Sequence, residues 1–230
     1  MEKKKVSRKE LLKAPDEFMT LSSRAVLFVR EHSRHFEYLG MAIAAIILIY
    51  LGINTYLKYV NKKGQNVYNT AYSTFYKNMN PNMNREELKR SAELFKEVID
   101  GYGLSKVSQL ALPELAYLKF LEKKYDEAIS LYQEFFNEVS EGSPYQSVAR
   151  LALAACYEEK GEFQKAIETL EQIMSGPDAL FKEQAMLNLA RVYRLAHQKE
   201  KSKKILKEFI KKYENSRFLP IAKAQVDQSL

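Results

Sequence analysis

The chain is poor in the residues that usually carry covalent stability or chemistry. One cysteine, Cys156, and three histidines are all that 230 residues contain. A lone cysteine cannot close an intramolecular disulfide, so the fold must hold by packing alone. Cys156 has no second cysteine or base in its local sequence to activate a thiolate, and reads as a small packed residue. His32 and His35 stand three apart, but no acidic or cysteine cluster completes a metal-ligand set around them. Gly101-Tyr102-Gly103 lacks the third glycine of a dinucleotide loop. Glu158 and Glu159 are adjacent, so on a helix they point in different directions and cannot share one substrate bond; they read as a solvated helix face. These absences imply no enzyme, no cofactor, no metal and no small-molecule substrate.

Basic charge is in excess, with 36 Lys/Arg against 29 acids, a net charge of +7 and a pI near 9.2. Such a balance raises nucleic acid as a partner. No zinc-finger spacing, RNA-binding aromatic motif or long basic arm supports it. The first 37 residues hold nine Lys/Arg and six acids, so part of the excess is a local tail. No nucleic-acid partner is expected.

Polar interruption is missing from one stretch. Between Glu37 and Lys58, Leu39 to Leu57 gives 19 uncharged residues, nine of them Leu or Ile on every side of a helix. At about 1.5 Å per residue that is ~28 Å, close to the ~30 Å hydrocarbon core of a bilayer. A core helix of a soluble domain would keep a polar face, and this one has none. A cleaved signal peptide is the rival reading. Its leader is usually short and its apolar run ends in small residues, whereas here the run is followed by Ile53-Asn54-Thr55-Tyr56-Leu57-Lys58. The sequence therefore predicts a retained span over 38–58, with the basic tail 1–37 inside and the rest outside.

The tail has a pattern of its own. Ser7-Arg8-Lys9-Glu10 has the form of a capping box, and Pro15-Asp16 interrupts what it opens. Phe18, Leu21, Ala25, Phe28, Val29 and Phe36 then recur at helical spacing, with Arg24, Arg30 and Arg34 largely elsewhere. Two readings stand: a helix on the anionic cytoplasmic leaflet, or an ordinary amphipathic segment against a partner.

After the span the chain repeats itself. Leu151-Ala-Leu153-Ala154-Ala-Cys-Tyr157 matches Leu187-Asn-Leu189-Ala190-Arg-Val-Tyr193, and Leu115-Ala116 matches Leu153-Ala154. Small residues follow each copy at fixed distance (Ala128, Ala166, Ser202), and Ala92 extends the series backwards. A third thread pairs Val107 with Ala111, Tyr145 with Ala149, Phe181 with Ala185 and Phe218 with Ala222. A fixed period of small and large residues means a helical hairpin copied several times. Two helices approach closely only where side chains are short, here Ala154 facing Ala166. Each hairpin leaves one apolar side for its neighbour, giving a right-handed solenoid with a concave face. The expected architecture is all-α. One span is followed over 59–230 by hairpins at about 65–105, 107–141, 145–175 and 181–214, with a cap at 217–230.

The stretch Leu153-Ala154-x-x-Tyr157-x-x-x-Gly161-x-Phe163-x-x-Ala166, with Pro177 beyond it, resembles the tetratricopeptide repeat family. Other copies depart: Lys119 stands in place of the tyrosine, and His197, Lys199 and Ser202 in place of the glycine, aromatic and alanine. Basic tail, single span and degenerate repeats together resemble the YfgM-like proteins. That resemblance implies a bacterial inner-membrane protein with periplasmic repeats, ancillary to the SecYEG translocon and associated with periplasmic chaperones.

Repeat geometry says where a partner protein would bind. First helices line the concave side, and equivalent positions there are Tyr117, Ala155 and Arg191, with Phe120, Glu158 and Arg194 one turn on. Such a groove is aromatic at one end and doubly basic at the other, suited to an extended client segment with apolar residues and carboxylates. The same residues could instead cover one another inside the superhelix. The lysines of 199–207 lie outside the packing stripe Ile205, Leu206, Phe209 and Ile210, as a solubilising face or a docking surface. The expected function is a membrane-anchored, periplasm-facing scaffold for partner proteins. A cell-envelope adaptor for division or wall synthesis and a cytoplasm-facing regulatory adaptor are the alternatives.

Overall fold

The computed structural model describes residues 17–78, 85–140, 144–176 and 179–227. Ser7–Glu10, Pro15, Asp16 and Pro177 lie outside them. Ten helices and no strands make up the described residues. The chain divides into two units, Met1–Tyr56 and Leu57–Leu230.

Helix α1 of the first unit covers Glu17–Glu31; after one intervening residue helix α2 runs from Ser33 to Asn78. His32 makes the junction, its backbone N–H donating to the Phe28 carbonyl at 3.0 Å. The Phe28 ring lies 4.4 Å from that of His32 and 6.3 Å from that of Phe36. Within α2 the uncharged run is exposed from Leu39 to Tyr56 except at Asn54, and only Leu57 at its end is partly covered as well. This helix is long and apolar enough to cross a membrane.

The second unit is a stack of antiparallel helical hairpins, as the periodicity predicts. Its first helix is the later part of α2, which pairs with α3 (Arg85–Gly101). Then follow α4 (Ser108–Leu121) with α5 (Tyr125–Glu138), and α6 (Pro144–Glu159) with α7 (Phe163–Ser175). Helix α8 (Lys182–Leu195) pairs with α9 (Lys199–Lys212), and α10 (Leu219–Asp227) closes the end with Ala222 buried. The first hairpin differs from expectation in having no helix start of its own near residue 65. Neither proline nor a turn cluster separates Lys58 from Asn78, so the helix never stops. Packing in this hairpin starts at Val60. At Gly64 the neighbouring chain comes so close that an added Cβ would stand 2.8 Å from the Ser105 hydroxyl.

Small residues sit where the helices of each hairpin meet. Ala116, Ala128, Ala154, Ala166 and Ala190 are all buried. In the last hairpin the Ser202 hydroxyl donates to the Ala190 carbonyl at 2.7 Å, and in the first the Ser91 hydroxyl donates to the Ala71 carbonyl at 3.1 Å. The partner of the series in the first hairpin is therefore Ser91, one residue before the expected Ala92, which is itself buried beside it. Ala111, Ala149, Ala185 and Ala222 are buried as the third thread requires.

Three hairpins turn in the same way. Gly161, Lys123 and His197 hold positive φ of 74°, 61° and 59°. Beyond each, the next N–H reaches back five residues: Glu162 to Tyr157, Lys124 to Lys119, and Gln198 to Tyr193. This is the αL closure in which glycine carries no Cβ penalty, so Lys123 and His197 accept a strained conformation to keep the turn. Tyr132, Phe75, Phe95, Phe135, Leu170 and Phe209 fill the layers between helices.

Because Ala154 and Ala166 belong to one buried cluster, extra methylenes there have no room. Ala154→Leu or Ala166→Leu should each lower stability by about 1–3 kcal/mol through overpacking. Chemical denaturation of the full chain checks this; unchanged midpoints for both would mean the helices meet elsewhere.

Candidate protein-binding groove

First helices of successive hairpins present one stripe each to a common surface. From α4 the stripe is Leu110, Pro113, Glu114 and Tyr117; from α6 it is Val148, Leu151, Ala152 and Ala155; from α8 it is Gln184, Asn188 and Arg191. The positions repeat with the period of the hairpins, so 110, 114 and 117 correspond to 148, 152, 155 and to 184, 188, 191. Together with Tyr76, Tyr132, Phe135, Tyr145 and Phe181 they enclose a cavity of about 590 Å³. Gln184, Asn188 and Arg191 also line a second concavity of about 410 Å³ that continues to Leu187, Arg217, Phe218 and Ile221 at the capping end.

Three of the six residues expected in the groove, Tyr117, Ala155 and Arg191, line it. Phe120, Glu158 and Arg194 occupy the next turn and are not among its walls. They lie in the last turns of α4, α6 and α8, beyond the turns whose residues form the walls. Phe120 stacks on Tyr117 with ring centroids 6.3 Å apart. Arg194 is exposed on the surface of α8. Glu158 is not the solvated carboxylate expected of it: it is half-buried and paired with the Arg191 guanidinium of the next hairpin. Burial raises the Glu158 carboxyl and Arg191 opposes the rise. The basic end of the groove therefore consists of Arg191, already neutralised, and Arg217, whose guanidinium lies 4.7 Å over the Phe218 ring.

Glu114 has no counterpart in the sequence reading. The equivalent positions carry Ala152 and Asn188, so no repeat pattern marks it. It is half-buried and has neither an ion pair nor a hydrogen bond among the described residues. Burial pushes its carboxyl up from 4.5 to about 7. Burial, reinforced by the charge of Glu114, raises the phenols of Tyr68 and Tyr76 on α2 and of Tyr132 on α5. Tyr76 and Tyr145 remain largely exposed at the rim. Cys156, by contrast, is fully buried behind the groove, and burial pushes its thiol up to about 12, the state of an inert packed residue. No group of three potential metal ligands occurs among the described residues.

A stack of helical hairpins with a continuous concave surface defines the class of repeat scaffolds. The chain belongs to the tetratricopeptide repeat-like domain family, whose pattern matches residues 32–177, and a tetratricopeptide repeat pattern matches residues 184–216. Such repeats are protein–protein interaction scaffolds and generally not catalytic. Solved structures of similar fold include nearly identical TPR-like repeats assigned to a kinesin light chain of Podosopora anserina, at 14% identity and TM-score 0.58, covering 74% of this chain and 86% of that one. A tetratricopeptide repeat protein of Parabacteroides merdae also matches at 14% identity and TM-score 0.58, covering 73% of this chain and 60% of that one. A double mutant of MamA RS-1 matches at 13% identity and TM-score 0.53, covering 73% of this chain and 88% of that one. At these identities the likeness concerns the fold alone. No curated protein matches the chain.

Glu114 makes stability depend on pH in a definite direction. Its carboxyl titrates near 7 when folded and near 4.5 when unfolded, so between those values the folded state binds more protons. Its contribution is full below about pH 4.5 and is lost as pH rises through about 7. Glu114→Gln mimics the protonated acid and removes this dependence. The melting temperature of the variant should gain on the wild type between about pH 5 and about pH 8. A difference that stays constant with pH would mean that the carboxyl is well solvated.

Proposed function

We propose that this protein is a non-enzymatic, membrane-anchored scaffold that holds extended segments of partner proteins in its concave groove. The anchor is the uncharged stretch 39–57, and the repeat domain faces the periplasm of a bacterial inner membrane. The partners are translocon subunits, chaperones or client segments at the Sec machinery. One observation carries the reading: a single helix, α2, contains the exposed apolar run and then forms the first helix of the groove-bearing stack. An exposed apolar surface of that length has no stable place in water. The match to the repeat family starts at residue 32 and takes in the whole apolar run, which supports the anchor as part of the family's domain. The excess of Lys/Arg in residues 1–37 supports a cytoplasmic tail, and with it the exposed Val26, Leu27, Phe28 and Val29 of α1 would meet the anionic leaflet. The secretion reading rests on the likeness in layout to the YfgM-like proteins.

Orientation is the first test. A reporter that works only in the periplasm should be active when fused after Leu230. Activity of a cytoplasm-only reporter at that site would replace this reading with a cytoplasm-facing regulatory adaptor.

The groove is the second test. A photo-crosslinking amino acid at Ala152 or Asn188 should trap partner protein in intact cells, whereas the same probe at Lys204 on the outer helix should trap little. Exposed charges on that face contribute weakly and are screened by salt. Strong crosslinking from position 204 alone would move the binding surface to the convex side.

A further inference from the structure

We propose that the tyrosine-lined end of the groove is a subsite for a basic side chain, so that the bound segment carries a lysine or arginine that docks on Glu114 between Tyr76, Tyr117 and Tyr145. The proposal rests on the reading of the groove as a binding surface for extended protein segments, and names the chemistry of what enters one end of it.

Three observations carry it. Glu114 lines the cavity and lacks any cationic or hydrogen-bonding partner among the described residues. Three other carboxylates along the stack have partners: Glu158 has Arg191, Glu171 the Tyr193 hydroxyl at 3.1 Å, and Glu183 the Ser216 hydroxyl at 2.5 Å. Next, the fold does not need an acid at this position, because the equivalent places in the following two hairpins hold Ala152 and Asn188 on the same stripe. A half-buried carboxylate that packing does not require is a cost to the folded chain unless something enters to neutralise it. Finally, the surroundings suit a cation. Tyr76 and Tyr145 stand exposed at the rim, Tyr117 and Tyr132 form the wall, and Tyr72 lies 4.1 Å from Tyr76 between ring centroids. Aromatic faces around one carboxylate attract an ammonium or guanidinium both through the rings and through a charge-assisted hydrogen bond.

The groups facing Glu114 are phenols: Tyr68 and Tyr76 on α2, Tyr117 on its own helix, Tyr132 on α5 and Tyr145 on α6. The charged group sharing the cavity wall is Arg191, held by Glu158. Entry of a basic side chain requires the ionised acid, so affinity should fall as pH drops below about 7, where Glu114 takes up its proton.

The experiment is a selection from a random phage library of peptides about 12 residues long, enough at ~3.3 Å per residue to run along the groove. The target is the full chain in detergent micelles. Binders retained by Ala152→Arg, which fills the cavity floor, are subtracted, and native melting of each variant is confirmed first. Enriched peptides should share a Lys or Arg at one position, and replacing it by norleucine should weaken binding at least about tenfold. On Glu114→Gln that replacement should cost little, and on Glu114→Lys the selection should favour Asp or Glu at the same position. If peptides depend on the open groove but show no basic position, or bind Glu114→Gln and wild type alike, the subsite is overturned and the groove reading stands. If nothing is enriched on wild type over Ala152→Arg, the groove reading falls and the subsite with it.

Discussion

The close approach of two helices within each hairpin governs the rest of the repeat unit. It is possible only where the facing residues carry nothing beyond a Cβ or a hydroxyl, and Ala116, Ala128, Ala154, Ala166 and Ala190 meet that limit. At the two ends of the stack a serine takes the place. A buried hydroxyl is costly without a partner, but a helical carbonyl has a second lone pair to give. Ser91 and Ser202 use it, donating to Ala71 and Ala190 across the hairpin. In three hairpins the helices so placed are joined by the same short turn, whose last N–H reaches back five residues. Lys123 and His197 therefore sit in the left-handed conformation that Gly161 adopts freely. The turn residue yields to the helix contact, not the reverse.

Most of the fold was legible because the helix contact recurs. A small residue at a fixed interval is visible in a single sequence, and so is the buried alanine four residues after Val107, Phe181 and Phe218. The first hairpin was harder. Its two helices are joined by a longer segment, so Ala71 and Ser91 stand twenty apart where Ala190 and Ser202 stand twelve apart. Counting by the period alone lands on Ala92, one residue late. The continuity of α2 was also hidden, since a change from apolar to polar composition at Lys58 marks a change of surroundings and not the end of a helix.

The groove was legible only in part, for reasons of direction and of individuality. Choosing equivalent positions identified Tyr117, Ala155 and Arg191, but extending one turn toward the C-terminus led away from the surface. The walls are formed one turn earlier, at Glu114, Ala152 and Asn188. Periodicity is silent about such positions by construction. A residue that serves the repeat recurs, whereas these three positions carry Glu, Ala and Asn in turn. Glu158 was misread for a related reason: its partner, Arg191, is supplied by the next hairpin, and a single helix considered alone shows only a charged face.

These differences alter the electrostatic character of the groove. A surface aromatic at one end and doubly basic at the other would select carboxylates. The pairing of Arg191 with Glu158 removes one of those charges inside the structure, and Arg194 lies away from the walls. What is left is Glu114, an acid without a partner among the described residues, beside tyrosines at one end and Arg217 on Phe218 at the other. A groove with opposite charges at its ends distinguishes the two directions in which an extended chain can lie, because reversing the chain brings like charges together at both ends. The apolar middle formed by Val148, Leu151, Ala152 and Phe181 contributes attraction without preference for direction. On the proposed reading, affinity and polarity of binding would thus fall to different residues.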